Sequence, residues 1–70
     1  MTFEELKKEI ELALPNKPKN WRYGQFVFNY IDEVYRVARS VQFIDNIDCF
    51  YDDKMIDKFI KAAIKYIKSC

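Results

Sequence analysis

Apolar positions recur about every 3.6 residues in three stretches of this chain, the mark of amphipathic helices. In the first, Phe3, Leu6, Ile10, Ala13 and Leu14 make a narrow stripe, and Thr2 with Glu5 forms the T-x-x-E box that caps a helix start. In the last, Ile56, Phe59, Ile60, Ala63, Ile64 and Ile67 share one face, with Asp52 or Asp53 placed to cap it. The longest stretch runs from Asn20 to Val41. At 100° per residue, Tyr23, Phe26, Val27, Tyr30, Val34, Val37, Ala38 and Val41 fall within about 60° of one direction, an ordinary core stripe. Phe28, Ile31 and Tyr35 widen the apolar arc to roughly 200°, more than one neighbouring helix covers. This second edge is expected to be covered by the first helix or to face a partner.

The pattern predicts a compact all-α single domain of three helices, at about residues 3–14, 21–40 and 53–68. Pro15 and Pro18 end the first helix, and the six-residue connector they sit in is an ordered turn. Asn20 stands where an N-cap would for the second helix. Gly24 falls within the first turn of that helix, where it costs about 1 kcal/mol relative to Ala. A glycine there implies close approach of another element or of a ligand. Between residues 42 and 51 the periodicity fails. A short strand over Val41–Ile44 has no partner strand, so these residues are expected to form a structured loop. Phe43, Ile44, Ile47 and Phe50 are expected to plug the open end of the core from it.

Composition adds little to the fold and more to the function. A chain of 70 residues buries only ~60% of its unfolded surface. Its 17% aromatic content compensates with large buried areas, and homo-oligomerisation is a natural second source of stability. The net charge of +1 is unevenly spread: residues 25–53 sum to −4 and residues 54–70 to +4. Lys54, Lys58, Lys61, Lys65 and Lys68 lie within about 80° of one another on the last helix. Such a row can follow a phosphate backbone. Lysine without arginine or aromatic neighbours reads no bases, however, and a solvated face at the favoured carboxyl end of a helix is simpler. Weak nucleic-acid binding is therefore a minor alternative.

Catalysis has no footing in a chain without histidine, whose Cys49 has no evident base; no enzyme activity and no cofactor are expected. Asp48, Asp52 and Asp53 are too few oxygens, without the turn glycine, for a calcium loop, so no metal is expected. No apolar run reaches the ~18 residues of a membrane span. No signal sequence precedes the acidic first helix, and Cys49 and Cys70 make no disulfide framework. These features read as a cytoplasmic protein with reduced thiols, a Cys49–Cys70 or intermolecular bridge arising only by oxidation in air.

Binding is left. Arg22, Gln25, Asn29 and Arg36 occupy successive turns on the polar side of the second helix. Near its amino end, free amides attract anions, Gly24 admits a ligand and Trp21 and Tyr23 can stack on a base. That set predicts a nucleotide-binding module, a sponge for a signalling nucleotide. Phe28 and Tyr35, on the second apolar edge, predict instead a surface for a partner protein.

The run W-R-Y-G-Q-F-V-F-N at Trp21–Asn29, followed by D-C-F-Y-D-D at Asp48–Asp53, resembles a group of small uncharacterised bacteriophage and prophage proteins with the pattern R-x-G-Q-x-x-x-N … D-x-F-Y-D-D. The resemblance covers about residues 20–67 and implies a phage accessory protein in a bacterial host cytoplasm. Small soluble phage proteins often act by binding, sometimes on host defence machinery, so the resemblance implies a binding role of that kind. The resemblance singles out Arg22, Gly24, Gln25, Asn29, Asp48, Phe50, Tyr51, Asp52 and Asp53. Two roles are open for them: a surface site, or an internal lock in which Arg22 or Asn29 pairs with Asp48 or Asp52.

Overall fold

The Thr2–Glu5 box opens the first helix as expected, the Thr2 hydroxyl accepting from the Glu5 amide and the Glu5 carboxylate from the Thr2 amide. A computed structural model describes residues 1–68. Four helices follow in order: α1 Phe3–Ala13, α2 Tyr23–Val34, α3 Ala38–Ile44 and α4 Ile56–Lys68. Short 3-10 turns at Leu14–Asn16 and Asp53–Met55 lead out of α1 and into α4. There is no strand among the described residues, so the all-α class holds. Cys70, the second half of the expected air-oxidised bridge, lies outside the described residues; Cys49 is a free, buried thiol.

The expected second helix is two. Arg36 takes a left-handed backbone (φ 60°), and the amides of Tyr35 and Arg36 both donate to the Ile31 carbonyl at 3.0 Å. This turn stops α2 and sends α3 off in a new direction. An unbroken helix over residues 20–41 would be about 33 Å long, as long as the whole molecule at 32 Å. Breaking it lets α3 pack on both α2 and α4, with Val37, Ala38 and Val41 buried. α3 also continues through Ile44, so the expected loop at residues 42–51 begins only after it. A second left-handed residue, Asn46 (φ 57°), turns the chain there.

The buried stripe of α2 is rotated from the expected one. Phe26 and Val27 are buried as expected, but Gly24, Phe28 and Ile31 are buried with them, while Val34 is 53% exposed. Phe28 and Ile31, assigned to the second edge, are therefore core. Tyr35, from the same edge, is half-buried and donates its hydroxyl to Glu9 of α1 at 2.7 Å, beside Tyr30, which donates at 2.6 Å. The wide arc is thus covered within the molecule: α4 brings Phe59, Ile60, Ala63 and Ile64, and α1 brings Leu6 and Ile10. Phe43 and Ile44 do not plug the core. They stand 74% and 66% exposed, whereas Ile47 and Phe50 pack against it.

Candidate functional site

The two halves of the singled-out pattern meet at the amino end of α2. Asn20 does not cap this helix; Arg22 holds the N-cap position, without a side-chain cap of its own. The cap comes from across the chain: Oδ1 of Asp53 accepts the Gly24 amide at 3.0 Å. The Arg22 guanidinium reaches the Phe50 carbonyl at 3.0 Å, and the Cys49 thiol donates to the Gly24 carbonyl at 3.3 Å. Gly24 is required here by space. A Cβ at this position would overlap the Cys49 carbonyl oxygen and lie 2.7 Å from Asp53 Oδ1.

The remaining members hold the loop in shape. Asp48 accepts the Phe50 amide at 2.8 Å and the Gln42 side chain at 3.0 Å, and Asp52 caps the turn into α4 through the Lys54 amide at 3.0 Å. Arg22 thus bonds a backbone carbonyl, and Asp48 and Asp52 bond their own neighbourhood, in place of the pairing expected between them. Burial pushes the Cys49 thiol up to about 12, with the Asp48 and Asp53 carboxylates adding to it. A fully buried thiol so far from ionising is a packing group, not a nucleophile.

This lock takes up the groups on which a nucleotide site would depend. The Gly24 amide and the Arg22 guanidinium already have protein partners, and the positive end of the helix dipole faces a carboxylate. Among the described residues, no group of three histidine, cysteine or acidic side chains is arranged to hold a metal ion. No helix among them is long and apolar enough to cross a membrane. Lys65, in the lysine row of α4, pairs with Asp45 at 3.2 Å, and Lys61 lies 5.4 Å from the centre of the Phe3 ring.

The other expected site residues are dispersed. Trp21 and Asn29 line a groove on α2 with Phe26 and Tyr30. Gln25 is half-buried, and its side chain makes no hydrogen bond among the described residues. Arg36 is exposed beside Arg39, Asp32 and Glu33.

Phe43, expected in the core, and Tyr51, singled out by the pattern, form an exposed aromatic surface instead. Phe43 of α3 and Tyr51 of the loop, 74% and 73% exposed, flank a groove of about 290 Å³ that is also lined by Phe28, Arg39, Gln42 and Phe50. Tyr51 is the outer end of a continuous run of rings. Phe59 meets Phe28 at 5.4 Å, Phe28 meets Phe50 edge-on at 5.6 Å, and Phe50 meets Tyr51 at 4.7 Å. The lock therefore fixes this surface as well as α2. Because α3 runs on through Ile44, Phe43 falls about 200° from the buried Val41, on the solvent side, and helical spacing carried past Val41 is the signal that would have revealed it.

No known protein family, curated protein or solved structure matches the chain.

Proposed function

We propose that the chain acts by binding a partner protein, through the surface made by Phe43, Ile44 and Tyr51. The supporting observation is the exposure of these three large apolar side chains, 66–74% in solvent, two of which flank a groove whose floor is anchored to the core. Scattered single apolar residues are ordinary on a surface. Two exposed aromatic rings flanking one groove with Arg39 at its edge, and an exposed isoleucine next in the chain to one of them, have the composition of a binding hot spot. The resemblance to phage accessory proteins supplies the kind of partner: a bacterial host protein, with defence proteins as the first to try. A second copy of this chain is the alternative occupant.

The test is a photo-crosslinking amino acid placed at Phe43 and, as a control, at Leu12, which is 73% exposed on α1. Irradiation in bacterial cells should give a discrete heavier adduct from position 43 and none from position 12. An adduct of twice the chain mass identifies self-association. No discrete adduct from position 43, or equal adducts from both positions, would defeat the assignment.

A further inference from the structure

A second groove, of about 380 Å³, lies on the other side of α2 and has a different chemistry. Its lining includes Pro18, Trp21, Phe26, Asn29, Tyr30 and Glu33. On the helical wheel, Phe26, Tyr30 and Glu33 centre roughly 160° away from Phe28, so the groove is separate from the Phe43–Tyr51 surface. Three aromatic residues contribute to it, and Glu33 is the one charged side chain that lines it. A second carboxylate stands close behind: Glu9 accepts the Tyr30 hydroxyl at 2.6 Å. The salt bridges among the described residues join Lys7 to Asp57 and Lys65 to Asp45, so neither Glu9 nor Glu33 is in one, although Glu33 also borders the groove shared by Asp32, Arg36 and Arg39. The nearby Lys17 ammonium is committed to backbone, at 2.6 Å from the Trp21 carbonyl and 3.2 Å from that of Pro18.

Aromatic faces attract cations through their quadrupole, tryptophan most strongly, and a nearby carboxylate adds to the attraction. We infer that this groove receives a lysine or arginine side chain of a partner protein, its aliphatic stem against Trp21 and Tyr30 and its charge toward Glu33. Asn29 offers an amide on the same wall for the backbone of the segment that carries the side chain. Long cationic side chains suit such a site because they bury their stem on apolar surface while the charge stays near solvent.

Trp21 is the sole tryptophan, so its fluorescence reports on this groove alone. The intact chain is titrated with acetyl-Gly-Lys-Gly-amide and with the uncharged isostere acetyl-Gly-norleucine-Gly-amide, at matched ionic strength. The lysine peptide should give a saturable change, and the norleucine peptide should bind several-fold more weakly. Glu33→Gln, an exposed position at which the fold is undisturbed, should weaken the lysine peptide by roughly two- to fivefold, the range of an exposed ion pair. Equal binding of the two peptides, unchanged affinity in Glu33→Gln, or no saturable response up to about 50 mM, where even a Kd of about 1 mM saturates, overturns the inference.

Discussion

The amino end of α2 and the outer edge of α3 are joined through the same loop, yet they are built in opposite ways. At the first, the Gly24 amide, the Gly24 carbonyl and the Arg22 guanidinium each have a partner in the loop, and there is no room for one added methyl group. At the second, Phe43, Ile44 and Tyr51 have most of their surface in water. The residues richest in apparent chemistry are the ones already satisfied. The apolar side chains Phe43 and Ile44, which look like plain core, are left open together with Tyr51. A polar motif whose hydrogen bonds all close within the molecule stabilises the fold, whereas apolar surface left in water has its free energy still to gain.

Substituting Gly24 by Ala breaks the committed side most severely. Alanine is the better helix former by about 1 kcal/mol, but its methyl group would overlap the Cys49 carbonyl oxygen, which is backbone and cannot rotate away. Net destabilisation of about 3 kcal/mol is expected, read as a lower midpoint in urea unfolding. A variant as stable as the parent would show that the loop does not close on α2.

Alkaline pH probes the same region without any steric change. The Cys49 thiol titrates at about 12 in the folded chain against an ordinary 9.0, chiefly because it is buried. Tyr30 and Tyr35 are also pushed up to about 12 from 10.0, by burial first and then by the Glu9 carboxylate that both hydroxyls contact. A raised folded pKa means that the protonated form is favoured by folding, so this stability is complete below the unfolded pKa and is lost above it. The parent should begin to lose stability near pH 9 and continue to lose it to pH 12. Cys49→Ala costs about 1 kcal/mol at neutral pH through lost packing, but its stability should stay flat to pH 10, where the tyrosines take over. Parallel curves for the two proteins above pH 9 would remove Cys49 from the account.

How far this contrast was legible in the sequence depends on which physics set each feature. The Thr2–Glu5 cap and the stripes of α1 and α4 follow from local spacing, and they form as read. Gly24 announced a close approach because a glycine has no other reason to sit in a first helical turn. The partner in that approach was not readable: Asp53 caps α2 from 29 residues away in the chain, a distance that no local rule spans. The break at Arg36 was hidden for a related reason. Left-handed turns are signalled by Gly or Asn, as at Asn46, and arginine gives no such signal. An unbroken helix puts Val34 inside and Phe28 on an outer edge, whereas Val37, Ala38 and Val41 are buried as expected; Phe43 was expected inside for a different reason, the loss of periodicity that made residues 42–51 read as a loop.

Arg36 therefore gives a milder test, with a change of opposite sign. A non-glycine residue held at φ 60° carries strain of order 1 kcal/mol. Arg36→Gly removes it at an exposed site, offset in part by the extra freedom of glycine in the unfolded chain. A gain of about 0.5 kcal/mol is expected in urea unfolding, with unchanged helical circular dichroism. A loss of stability would mean that the arginine side chain contributes more across α2 and α3 than its backbone strain costs.

The open side of the comparison should show almost no response in stability. Phe43 keeps 74% of its surface in solvent, so Phe43→Ser removes little buried area and should change unfolding free energy by less than about 0.5 kcal/mol. The same substitution should abolish capture of the partner by a photo-crosslinker placed at Tyr51, which lines the same groove, because truncating a central aromatic anchor typically costs 2 kcal/mol or more of binding. The pair of measurements separates the two regions: at Gly24 stability collapses, and at Phe43 binding goes while stability stays. If Phe43→Ser instead unfolds the chain as readily as Gly24→Ala, the ring is packed like core, and the α3 edge is no more open than the lock.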